Sequence, residues 1–358
     1  MTALWKDMPV GDVVRLEYGK PLNDADRKPD GLYPVYGANG EKDRSDKFYF
    51  DKPSIIVGRK GSAGEVNFTA EKFWPLDVTY FVTFDEQRHD LRFLYYLLTT
   101  LDLPSLAKGV KPGINRNQVY SQVVKIPPLP EQRRIVHILD KAFDRIATAK
   151  SSTGKNLQNA RALFKSHLHF IFTRRGAGWV DGTVDQISTN LDSKRIPITK
   201  SARKSGEYPY YGASGIVDYV ADYIFDCKAL LVSEDGANLL MRSTPIAFSV
   251  SGKYWVNNHA HILKFENMAT QRFVEFYLES IKLNEFIRGA AQPKLTQKAL
   301  NSIPIPIPKS VEAQEKIVDK LELLSEETQR LASLYERKLA TLEALKKSLL
   351  HQAFTGQL

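Results

Sequence analysis

The chain has 358 residues, 43% hydrophobic and 25% charged with ordinary Gly and Pro usage, which excludes disordered and collagen-like classes and suits two or three globular domains. One cysteine, Cys227, excludes an internal disulfide framework and a Cys-rich zinc site and points to a reducing, cytoplasmic setting. No apolar leader opens the chain and no membrane-length apolar run follows, so no membrane partner is expected; the net charge of +9 is concentrated in residues 131–175, ten basic against three acidic, as a polyanionic partner would favour.

In chain order, the first segment after Trp5 carries short β-branched and aromatic runs separated by Gly, Asp and Asn. YPVYGANG (33–40), IIVGRKGSAG (55–64) and FWPLDVTYFV (73–82) read as strands and turns, LRFLYYLLTTL (91–101) as a helix, and GVKPGINRNQV (109–119) as a loop. IPPLP (126–130) ends this part, because neither a helix interior nor a central strand accepts such a run. A long helix follows, closing on KSHLHFIFT (165–173). The same order then recurs: WVDGTV with Trp179 and Val184, YPYYGASG (208–215), LLVSEDGAN (230–238), YWVNNHAHIL (254–263), the RFVEFYLESI helix, GAAQPKLTQKAL (289–300), IPIPIP (303–308), and a final helix with KSLLHQAFT (347–355). Matching blocks in one order mark a tandem duplication. The alignment pairs Val57 with Val232, Gly61 with Gly236, Trp74 with Trp255 and Pro112 with Pro293. Tyr36, Gly37, Tyr211 and Gly212 read as fold-forming, the glycines permitting a left-handed turn.

The resulting expectation is an α+β fold: two strand-rich domains, 1–130 and 176–308, each followed by a long helix, 131–175 and 309–358. In the second helix Ile317, Leu321, Leu324, Thr328, Leu331, Tyr335, Lys338, Leu342, Leu345 and Leu349 step by four and three, the seam of a coiled coil. The first keeps those steps through Ile135, Leu139, Ala142, Ile146 and Ala149, with SSTG (151–154) as an interruption and Gly154 as a weak point. Each seam needs a partner, and an antiparallel pairing of the two helices gives a pseudo-two-fold arrangement.

No Walker loop is present, and GRKGSAG (58–64) lacks dinucleotide spacing, so no cofactor site is expected. His259 and His261 in HAH could suggest a metal but lack a companion cluster, and neither a metal nor a catalytic set is assigned. Two similar modules on rigid helices suit a bipartite duplex DNA target, with the basic helix near phosphates of the unread spacer. Arg133, Arg134, Lys141 and Arg145 are the candidates for that contact or for a partner-binding surface, although each taken singly reads as an ordinary solvated helix face.

YPVYGANG, IIVGRKGSAGEVNF, FWPLDVTYFV, PPLPEQRRIV and the KSxLHxxFT endings, all duplicated in order, resemble the specificity subunit of type I restriction-modification systems. The resemblance implies two target recognition domains joined by the helices, each reading half of an asymmetric bipartite site. It also implies two docked modification (methyltransferase) subunits, further restriction subunits, and a non-catalytic prokaryotic chain, with S-adenosylmethionine, ATP and Mg used only by the partners. The base-reading candidates are Arg59, Lys60, Lys111, Asn115, Arg116 and Asn117 in the first domain and Lys194, Arg195, Arg203, Lys204, Gln292, Lys294 and Gln297 in the second, since guanidinium and amide groups match guanine and adenine edges. GRKGSAG against SEDGAN is the divergence expected to separate the two half-sites, while Gln132 and Gln314 are shared and read as scaffold or partner surface. The alternatives are a structural coiled-coil adaptor and a part of a DNA methyltransferase without base readout of its own.

Overall fold

The computed structural model describes residues 5–289 and 291–358, and the chain divides into two compact units, Met1–Thr153 with Arg337–Leu358 and Gly154–Glu336. Each unit is thus a strand-rich domain together with parts of both long helices.

In the first unit, Val14–Tyr18, Thr79–Phe84, Ser54–Gly58 and Val66–Thr69 form an antiparallel sheet in that spatial order. SIIVG reads as an unbroken apolar run because the strand is central and covered on both faces; Ile55, Ile56 and Val57 are fully buried. The Leu91–Thr100 helix lays Phe93, Leu94, Leu97 and Leu98 onto that core, beside Ile135 and Leu139 of the long helix. Its start is fixed by Asp90, whose carboxylate accepts from the Phe93 amide at 3.0 Å. A second sheet pairs the Tyr33–Gly37 and Gly40–Ser45 hairpin, with Val35 lying parallel to Trp74.

The second unit repeats this plan. Thr189–Asn190, Ala260–Lys264, Ala229–Ser233 and Ala247–Val250 form one sheet, and the Ser205–Gly212 and Gly215–Val220 hairpin lies in another. Here Tyr210 is parallel to Trp255, the pair equivalent to Val35 and Trp74. Each tryptophan donates its indole N–H to a backbone carbonyl, Trp74 to Lys20 at 2.9 Å and Trp255 to Ile196 at 2.7 Å.

The YGAxG turns need one correction. The left-handed residues are Gly40 (φ 112°) and Gly215 (φ 125°), not Gly37 and Gly212. Gly37 and Gly212 answer instead to close approach, since an added Cβ would come within 2.7 Å of Lys42 and 2.8 Å of Val217 respectively. Tyr36 and Tyr211 pack edge-on against Phe73 and Tyr254, in the fold-forming role expected of them.

The second proline run is itself a strand: Pro304–Pro308 pairs antiparallel with Trp179–Thr183 in a two-stranded sheet. Proline at alternate positions leaves the intervening N–H groups to the ladder, which a two-stranded ribbon tolerates.

The long helices are Leu129–Thr173 and Val311–Thr355. In the first unit they run antiparallel: Arg134 donates to the Leu358 carbonyl, whereas Lys150, further along, meets Glu343. In the second unit Arg161 meets Glu336 at 2.6 Å. The first helix does not break at SSTG, because Thr153 is buried and continues the seam from Ala149 to Leu157. Lys338 and Leu345 fall off the expected seam and are exposed. Gln132 and Gln314 are buried latches, not surface. Gln132 accepts from the Asp90 amide and donates to the Arg88 and Pro127 carbonyls, and Gln314 accepts from the Thr270 hydroxyl and donates to the Pro308 carbonyl.

Candidate nucleic-acid interface

In the first unit two loops far apart in sequence are joined by backbone. Gly61 donates to the Pro112 carbonyl and Ile114 to the Arg59 carbonyl, both at 2.9 Å, and the Tyr80 hydroxyl donates to the Ile114 carbonyl at 3.2 Å. Gly61 takes φ 81°, which lets the chain double back at the strand end. This brings together all six first-domain candidates. Lys60, Lys111, Asn115 and Asn117 are exposed, and Arg59 and Arg116 are half-buried. Asn115 has a local task besides: it caps the short Arg116–Tyr120 helix by accepting from the Asn117 amide at 2.9 Å.

A residue absent from the sequence-based set organises this cluster. The Tyr18 ring lies 5.1 Å from that of Tyr80 and has the Arg59 and Arg116 guanidinium groups at 5.3 and 5.1 Å. Arg59 also donates twice to the Asp77 carbonyl, at 2.7 and 3.1 Å, so its planar fork is held in one orientation. Rings and backbone therefore fix a donor-rich surface in place.

The second unit uses the same backbone contacts. Gly236, at φ 106°, donates to the Pro293 carbonyl at 3.0 Å and Leu295 to the Glu234 carbonyl at 2.7 Å. These are the glycine and proline that the repeat aligns with Gly61 and Pro112. His261 stands where Tyr80 stands, its Nε2 on the Leu295 carbonyl at 2.7 Å. Asp192 and Glu234 occupy the positions of Tyr18 and Arg59, so an ion network replaces the cation–ring stack. Asp192 holds His261 Nδ1 and accepts from the Ile262 amide, while Arg195 reaches Glu234 at 2.7 Å and the Ala260 carbonyl at 2.8 Å. Lys294 adds a contact to Glu234 at 3.1 Å. Burial pushes the Asp192 and Glu234 carboxyls up, but their partners outweigh it and hold both below the usual carboxylate range: His261, the Ile262 amide and Arg195 for Asp192, and Arg195, His261 and Lys294 for Glu234.

Asp192, Glu234 and His261 place three ligand-type atoms within 4.8 Å of one another. The arrangement is nevertheless an internal ion network. Arg195 and Lys294 supply the compensating positive charge, and both His261 ring nitrogens face acceptors and are placed to donate.

The other second-domain candidates are distributed differently. Arg195 is a correction: its side chain is 14% exposed and engaged within the network, so it is not an open reading group. Arg203 is engaged too, lying 4.3 Å above the Tyr210 ring and pairing with Asp218 of the hairpin at 3.1 Å. Lys194, Lys204 and Gln292 are exposed; Lys294 is exposed but paired; Gln297 donates to Asn190 at 2.8 Å. On the long helix Arg133, Lys141 and Arg145 are exposed, and Arg134 is paired with Glu131 at 2.8 Å.

Sequence comparison gives the same two-part division. The type I restriction modification DNA specificity domain profile matches residues 3–156 and again 177–336, and the chain belongs to that family, carrying the domain twice. A Haemophilus influenzae chain assigned as a type I restriction enzyme specificity subunit is 38% identical over 146 residues, a match spanning 40% of this chain and only 37% of that relative's length. The Escherichia coli EcoDI specificity subunit is 23% identical over 99% of this chain and 88% of its own. The HsdS subunit from Thermoanaerobacter tengcongensis has the same fold, with TM-score 0.61 at 17% identity over 99% of this chain and 97% of its own. So does a chain from a solved structure of a type I R-M system, with TM-score 0.77 at 16% identity over 99% and 98%.

Proposed function

We propose that this chain is the DNA-reading specificity subunit of a type I restriction-modification complex, and that each unit reads one half of an asymmetric bipartite site. The observation that carries the reading is the pair of joined loops. Both units build the same backbone platform, Gly61 on Pro112 and Gly236 on Pro293, yet present different chemistry on it. A constant platform with changed side chains is what two readers of different short sequences require.

In this reading the chain has no catalytic residue and binds no cofactor. S-adenosylmethionine, ATP and Mg belong to two modification subunits and to restriction subunits assembled on it in a prokaryotic cytoplasm. The long helices set the spacing between the half-sites and offer docking surface. The test is duplex binding by the complex with its modification subunits: a site identified from the host methylome should lose most of its affinity when the unread spacer is changed by one or two base pairs. Binding indifferent to spacer length would overturn the reading, as would methyl transfer by the purified chain alone.

A further inference from the structure

The second unit carries a histidine–carboxylate pair at its joined loops that the ion network does not use, with the imidazole the more exposed partner. His259, aligned with Val78, has its Nδ1 at 2.8 and 3.0 Å from the two carboxylate oxygens of Asp235, which is aligned with Lys60. The His259 amide is tied to Asn257 at 2.8 Å, which sets the backbone, while the His259 side chain is 47% exposed and that of Asp235 17%. Asp235 is in turn bridged through backbone to Lys294, so the pair sits on the platform itself. A carboxylate only accepts, so Nδ1 carries the proton facing it. In the neutral ring Nε2 then holds the lone pair and is an acceptor.

At this position the hydrogen-bond polarity is therefore opposite in the two units. At the position where the first unit offers the Lys60 ammonium, a donor only, the second offers a carboxylate and an imidazole acceptor oriented by it. Guanine presents O6 and N7 acceptors in the major groove, which suit the first loop; the exocyclic amines of adenine and cytosine are the major-groove donors that suit the second. Resting on the functional reading above, we infer that His259, positioned by Asp235, accepts a hydrogen bond from adenine N6 or cytosine N4 in the half-site read by the second unit.

The experiment uses the complex with its modification subunits and begins by mapping the wild-type methylated motif; absence of a bipartite motif would overturn the functional reading itself. Each adenine and cytosine of the motif is then replaced singly by its amine-less analogue, purine or pyrimidin-2-one, and binding is measured for wild type, His259→Ala and Asp235→Asn. One position in one half should cost the wild type about tenfold in affinity, within the usual value of a base contact. That penalty should vanish in His259→Ala and shrink in Asp235→Asn, while penalties in the other half stay unchanged and certify folding. Equal penalties in wild type and His259→Ala at every position would overturn the inference. So would a uniform loss on all duplexes in His259→Ala, which would mark a phosphate contact.

Discussion

At the residue scale, the same positions do different work in the two units. Tyr18, Arg59 and Tyr80 form a cation–ring stack, and Asp192, Glu234 and His261 form an ion network on an equivalent frame. The network has a pH signature. Asp192 is held below its ordinary value, so the folded state binds its proton less tightly than the unfolded chain. Its contribution is present in full above the unfolded carboxyl range, about pH 4, and is lost as pH falls through the depressed folded value. The unfolding free energies of wild type and Asp192→Asn should therefore differ most above the unfolded carboxyl range and approach each other as pH falls below it. A difference that stays constant across acid denaturant titrations would show that the charge on Asp192 carries none of it. The sequence could not reveal this network: HAH and SEDG lie apart in the chain, and nothing in their spacing says that Arg195 folds back between them. Tyr18 was equally hidden, since a strand-end tyrosine acquires its role only when two distant arginines arrive over its ring.

At the element scale, the duplication made the fold legible. Short β-branched and aromatic runs between Gly, Asp and Asn marked the strands, steps of four and three marked the long helices, and repetition gave each assignment a second witness. The first long helix was harder to read at SSTG, because a buried threonine on the seam looks polar in sequence. Thr153 keeps the seam continuous, and Gly154 is left as a helical glycine with open space where a Cβ would stand. Alanine there removes backbone entropy from the unfolded chain and meets no clash. Gly154→Ala should raise the unfolding free energy by about 0.5–1 kcal/mol, read by denaturant titration of the full chain. Destabilisation would mean that the helix needs this weak point. Gln132 and Gln314 show the converse limit: shared letters fit scaffold and partner surface alike, and only their buried hydrogen bonds decide for scaffold.

At the scale of the whole molecule, the question is what the uneven charge is for. Residues 131–175 hold an excess of seven positive charges; two of them, Lys150 and Arg161, pair with Glu343 and Glu336 outside the segment, while Arg134 pairs with Glu131, which the excess already counts. These pairs are solvent-exposed and contribute little to stability, so the basic surface is not explained by folding alone. Arg133, Lys141 and Arg145 remain exposed, and a polyanion running along the helix would release counterions on meeting them. Replacing Arg133, Arg134, Lys141 and Arg145 by Gln should weaken specific and non-specific duplex binding together. The slope of log K against log salt should flatten by about 0.9 for each phosphate that is no longer neutralised. A weakening at the specific site alone, with an unchanged slope, would instead assign this face to a protein partner, because a docked subunit contributes through its own placement on the site and not through counterions released by these four side chains.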